Sequence, residues 1–171
     1  MTLRITDYLV ADHVRLHELL IRARDVEGFD AIAFTTFRGG LLRHIGIEEK
    51  LLFPVVRRAR GGEVLPAARA LRIDHAALTS LLVPTPDAAL CDEILVLLRE
   101  HDAKEEGADG VYAACERYLG ASESAALGAQ AAAFQEVRVM PHFDGPGTHR
   151  TAAAALAAAR RTTRPGNERA L

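Results

Sequence analysis

The sequence predicts an all-α protein, a four-helix bundle followed by an additional C-terminal helix and tail. Three observations carry that reading. The 171 residues are rich in Ala, Leu, Arg and Glu, all strong helix formers. Apolar residues recur at steps of three and four through four long segments. Gly- or Pro-containing breaks separate those segments, and no run reads as a strand. A bundle over residues 1–120 is expected, with a helix, loop and basic tail over residues 121–171 packed on it or extending from it.

The first helix is expected from about Thr6 to Asp25. Leu9, His13, Leu16, His17 and Leu20 fall on one stripe, and Arg15, Arg22 and Arg24 lie off it. Gly28 ends this segment, and Asp30 offers an N-cap to a second helix running to about Arg60. The second stripe is Phe37, Leu41, His44, Glu48, Leu51, Leu52 and Val55, a spacing suited to a bundle seam. Pro54 predicts a kink in its last turns, and Gly61-Gly62 stops it. The third helix is expected from about Val64 to Leu82, with Ala68, Leu71, His75, Leu78 and Leu82 on one side. After the turn Pro84-Thr85-Pro86-Asp87, the fourth carries Ile94, Leu97, Leu98, His101 and Glu105. It is expected to continue through Tyr112 to Leu119, distorted at Gly107 and Gly110. A fifth, alanine-rich helix is expected from Ser122 to about Val139. A loop over Met140 to Gly147, a short helix from Arg150 to Arg161 and a frayed end follow.

The net charge of -2 gives no electrostatic case for nucleic acid or an anionic membrane. The five arginines after His149 read as a solvated helix and end rather than a nucleic-acid arm. Cys91 and Cys115 form no ligand spacing and suit a reducing compartment. Met1 to Val10 lacks a continuous apolar run and carries Asp7, unlike a signal peptide. No apolar run approaches the ~20 residues needed to span a bilayer. A soluble, cytoplasmic protein is the expectation.

The polar residues on the apolar stripes carry the chemistry. Of seven histidines, His13, His17, His44, His75 and His101 lie on those stripes, together with Glu48 and Glu105. His44/Glu48 and His101/Glu105 share one spacing, which puts both side chains of a pair on one helix face, a turn apart. Burying an unpartnered polar group costs about 1–3 kcal/mol, and an ionised carboxylate more. Against a total stability of about 5–15 kcal/mol, seven such groups need a compensating cation. All lie roughly midway along their helices, so they can meet at one level. Seven ligands exceed the four of a zinc site. Mixed imidazole and carboxylate suits iron or manganese, with other divalent metals as alternatives, and two bridging carboxylates can hold two ions. The Glu-x-x-His spacing of ferritin-type sites is absent around these histidines. His142 and His149 lie outside the pattern and are not expected to be ligands.

These residues resemble the hemerythrin-like family, the HHE cation-binding domain. The resemblance rests on Asp12-His13, on His44 with Glu48-Glu49 and Leu51-Leu52-Phe53-Pro54, on Asp74-His75, and on His101 with Lys104-Glu105-Glu106. It covers roughly residues 5 to 119. It implies an up-down-up-down bundle around a non-haem di-iron centre, two iron ions bridged by carboxylate or oxygen. Glu48 and Glu105 would then bridge, with His13, His44, His75 and His101 as terminal ligands. Oxygen carriers of the family have a fifth histidine four residues after the third-helix histidine; Thr79 stands there here. His17 on the first helix is the extra histidine, expected as a fifth ligand or as a residue that orients one. Tyr112 follows Glu105 two residues later than Phe53 follows Glu48, which could bring Asp109 towards the site.

Seven ligands with two bridging leave an open position for a small molecule. The resemblance accordingly implies binding or sensing of dioxygen, nitric oxide or peroxide. The alternatives are a di-iron enzyme reducing peroxide or oxygen, and an iron-storage or iron–sulfur-repair role. Tyr8 and Tyr112 are read mainly as packing, with a redox or hydrogen-bonding role as the other reading.

Overall fold

The computed structural model describes residues 3–25 and 27–163, and every regular element among them is helical. The expected frayed terminus lies outside the described residues beyond 163. Helix α1 (Ile5–Asp25) leads to α2 (Ala31–Ile47), whose N-cap Asp30 accepts hydrogen bonds from the backbone N–H groups of Ile32 and Ala33. The chain continues unbroken through a π-helical stretch, Glu48–Leu52, into α3 (Phe53–Ala59). This is the form taken by the irregularity expected at Pro54. The Phe53 N–H reaches back to the Glu48 carbonyl, a wider turn than an α-helix makes. That widening falls just before a proline whose ring would clash with the carbonyl one α-turn back.

Three boundaries differ from the sequence expectation. Helix α4 (Ala68–Leu81) starts later than Val64, because Pro66 disfavours helical backbone at Leu65. Helix α5 (Ala88–Glu106) begins at its Asp87 cap but stops at Gly107 instead of running to Leu119. A tight turn follows, with the Gly110 N–H donating to the Gly107 carbonyl at 2.6 Å, and then a short α6 (Val111–Glu116). A Cβ at Gly110 would lie 2.5 Å from the Glu105 carbonyl oxygen, so the turn requires glycine. Helix α7 (Ala121–Ala132) ends well before Val139. The Arg43 guanidinium donates to the Ala131, Ala132 and Phe134 carbonyls at 2.7, 3.3 and 3.0 Å. It thereby serves carbonyls that further helical turns would otherwise have bonded. Helix α8 (Ala152–Thr162) starts on a Thr151 cap.

Helix α1 packs against α2, α5 and α7, and α4 packs against α5 and α8. The core falls into two apolar clusters. On α1, His13 separates Leu9 of one cluster from Leu16 of the other; on α2, His44 separates Leu41 from Ile47. His75 lies likewise between Leu71 and Leu78, and His101 and Glu105 between Leu98 and Val111. A polar layer thus crosses the bundle at one level. Ala152, Ala155 and Ala159 of α8 belong to the first cluster, and Leu127 and Ala131 of α7 to the second. The segment after residue 120 therefore completes the same core. No helix among the described residues is long and apolar enough to cross a membrane.

Candidate metal centre

The four long helical segments deliver six side chains to the polar layer: His13, His44, Glu48, His75, His101 and Glu105, all buried. Their donor atoms form two groups. His75, His101, Glu48 and Glu105 converge on one side, and His13, His44 and Glu105 on the other, each within 4.8 Å of one another. The two carboxylates span both sides. Glu48 Oε1 is 3.7 Å from His44 Nε2, and its Oε2 is 3.1 Å from His75 Nε2. Glu105 Oε2 is 3.4 Å from His13 Nε2, and its Oε1 is 3.3 Å from His101 Nε2. The His75/His101 side gathers two imidazole nitrogens and two carboxylate oxygens, and the His13/His44 side two imidazole nitrogens and one Glu105 oxygen, with Glu48 Oε1 nearest His44.

The histidines are turned so that Nε2 faces inward, and each Nδ1 faces a second carboxylate. His44 Nδ1 donates to Asp12 at 3.1 Å, His75 Nδ1 to Glu49 at 2.8 Å and His13 Nδ1 to Glu106. His101 Nδ1 faces Asp74 at 3.5 Å, and Lys104 donates to the same Asp74 oxygen at 2.6 Å. These contacts close a ring through the bundle. Asp12 on α1 serves α2, Glu49 of the π-helical stretch serves α4, Asp74 on α4 faces α5, and Glu106 on α5 serves α1. An Nδ1–H held by a carboxylate leaves the Nε2 lone pair free to bind a cation and makes it more basic.

Stripe position alone gives these outer carboxylates no role, yet each is the chain neighbour of an inward residue: Asp12-His13, Glu48-Glu49, Asp74-His75 and Glu105-Glu106.

The imidazoles and carboxylates at this level shift one another. Burial alone would lower His13 and His75. Glu105, Asp102 and Glu106 instead push His13 up to about 9, and Glu48 and Glu49 push His75 up to about 10. Burial would raise Glu48, but the surrounding histidines hold it low. Burial and the Glu48 charge raise Glu105. For Asp12 and Asp74, burial is more than offset by His44 with Arg15 and by His101 with Lys104, so both stay below the ordinary carboxylate value. Glu48 Oε2, His75 Nε2 and Glu105 Oε1 are buried without a hydrogen-bond partner. Three inward donors that lack a partner fit a bound metal ion, which would satisfy all three.

The remaining candidates lie elsewhere. His17 stands outside both donor groups; its Nε2 pairs with Asp102 Oδ2 at 2.6 Å, and Asp102 Oδ1 faces His13 Nε2 at 3.8 Å. Asp109 is exposed in the glycine turn and does not approach the site. Tyr112 does: its hydroxyl donates towards Glu48 Oε1 at 2.6 Å and Glu105 Oε2 at 3.0 Å. Burial and these two carboxylates raise its pKa well above the ordinary phenol value. Tyr8 instead accepts a hydrogen bond from Arg43 at 2.7 Å. His142 packs against Phe34. Cys91 and Cys115 are buried free thiols, each pushed up to about 12 chiefly by that burial.

Comparison with known proteins gives one family. No curated protein and no solved structure gives a match. The family model of the hemerythrin HHE cation-binding domain matches residues 4–109, a stretch that holds all six inward side chains. That match covers more than half of the chain, and the protein belongs to the hemerythrin HHE cation-binding domain family.

Proposed function

We propose that the protein is a non-haem di-iron protein of the cytoplasm that binds or senses a small oxidant: dioxygen, nitric oxide or peroxide. One observation carries this reading. Glu105 turns one oxygen to His13 and the other to His101, and Glu48 turns one to His44 and the other to His75, so that two ions could share both carboxylates. Three or four protein donors per ion would leave positions open on iron, which prefers higher coordination than zinc. Iron so held supplies the electrons that a small oxidant accepts. The chain's residues fix the orientation of the imidazoles, make Nε2 more basic and exclude bulk water.

An apolar pocket lined by Phe53, Leu65, Ala68 and Leu71 has Glu49 in its wall, and Glu49 holds His75. The up-down-up-down order of the bundle belongs to the same reading. On α1 the chain passes from the second apolar cluster to the first; on α2 it returns, and α4 and α5 repeat the alternation.

Tyr112 favours a second reading, an enzyme that reduces peroxide or oxygen. Its hydroxyl lies beside both shared carboxylates and 3.4 Å from His13 Nε2, placed to hold or pass a proton. Stopped-flow spectra of the reduced iron-loaded protein separate the two. A long-lived absorption change on mixing with oxygen or nitric oxide supports binding or sensing. Sustained peroxide consumption replaces it with the enzyme, and no spectral response to any of the three ligands contradicts both.

A further inference from the structure

The two halves of the centre are unequal. On the His75/His101 side, Glu48 Oε2, His75 Nε2 and Glu105 Oε1 are buried without a hydrogen-bond partner. On the His13/His44 side every corresponding atom is engaged. His13 Nε2 and His44 Nε2 share a hydrogen bond at 2.9 Å, and the Tyr112 hydroxyl takes Glu48 Oε1 and Glu105 Oε2. The same hydroxyl lies 3.4 Å from His13 Nε2. It therefore stands against His13 and Glu105, two of the three residues grouped on that side, and against Glu48 Oε1 beside them. Metal–ligand bonds of about 2.0–2.2 Å would bring the ion into the space this hydroxyl borders. Asp102 Oδ1 is also buried and unpartnered at 3.8 Å from His13 Nε2, but His17 already holds its carboxylate. One oxygen at that distance does not match three converging donors.

The fold holds the hydroxyl in place. Helix α5 ends at Gly107, and the glycine turn folds α6 back so that Tyr112, only 4% exposed, points into the polar layer. The ring stacks on His13 with centroids 5.9 Å apart. A side chain pinned by packing and two hydrogen bonds yields its place at a cost.

We infer that Tyr112 makes loading of divalent transition-metal ions sequential: the first ion enters the His75/His101 half, and the Tyr112 hydroxyl holds back the second at the His13/His44 half. At limiting metal the protein carries one ion in a defined half of the centre. The inference rests on the dimetal reading above and adds an order of filling to it.

The test is a calorimetric and visible-absorption titration of the chelator-stripped full chain with Co(II). The expected isotherm has two steps, the second weaker by about tenfold or more, the scale of one hydrogen bond to a charged group. His75→Ala removes the strong step; His44→Ala removes the weak step and leaves the strong one. Tyr112→Phe keeps the ring and tightens the second step by about tenfold, closing the gap. Two ions entering in a single step overturn the inference, as does loss of the strong step in His44→Ala. A second step that weakens in Tyr112→Phe also overturns it, because the hydroxyl would then be a ligand. A single-step wild-type isotherm overturns the inference without any variant, and a gap that stays unchanged in Tyr112→Phe overturns it too. Failure to bind Co(II) at all refutes the dimetal reading itself, whereas two ions in one step refute only the order of filling.

Discussion

Each inward histidine of the polar layer faces a carboxylate from a neighbouring helical segment. Imidazole basicity and orientation depend on that outer partner, and losing one typically lowers metal affinity by about 10- to 100-fold. Asp12→Asn is accordingly expected to weaken iron loading by about 10- to 100-fold with helix content unchanged, because His44 loses its anionic partner. Glu48→Ala or Glu105→Ala is expected to abolish two-ion loading, while His142→Ala, whose ring lies on Phe34, keeps it. His17→Ala is also expected to retain both ions, since His17 holds Asp102 and neither donor group contains it. Iron quantified after dialysis of each variant checks all of these; equal loss across them would refute the placement. The inward residues were legible in the sequence because they interrupt apolar stripes. The pairing of Asp12 with His44 or Glu49 with His75 was not, because it crosses between helices.

Helix boundaries follow local chemistry where a cap or a break decides them. The Asp30 cap was readable, and its carboxylate is held below its ordinary value of 3.8 chiefly by the Ala33 N–H and further by Arg22. A depressed folded-state pKa contributes stability that is fully present above the unfolded value. That contribution is lost as pH falls below about 3.8 through the folded value. Asp30→Ala is therefore expected to lower the thermal midpoint at neutral pH, and the difference from the parent should shrink on acidification below pH 4. A difference that grows on acidification would contradict the cap.

The end of α5 shows what the sequence left open. Gly107 and Gly110 predict a distortion within a continuing helix, whereas the helix breaks there. The close approach of Gly110 to the Glu105 carbonyl selects the break, and the break delivers Tyr112 instead of Asp109. Gly110→Ala should cost about 1–3 kcal/mol in denaturant unfolding, the size of an overpacked contact, because a backbone carbonyl blocks the new methyl group. A neutral effect would contradict the turn as described. The early end of α7 had no signal within its own segment, since the Arg43 that meets its carbonyls comes from α2.

Across the whole molecule, one polar layer divides an otherwise apolar bundle into two clusters, and the C-terminal helices complete both. The helical class was legible from composition and period, and the level of the site from the mid-helix position of its residues. How the segment after residue 120 packs was not, because its alanine-rich faces fit many partners equally well. In the proposed reading this layer holds two iron ions between the histidine pairs. Metal analysis of the protein purified without added metal tests that reading most directly. Iron at about two ions per chain, one for each donor group, is expected. Zinc in place of iron, or no bound metal, would contradict it.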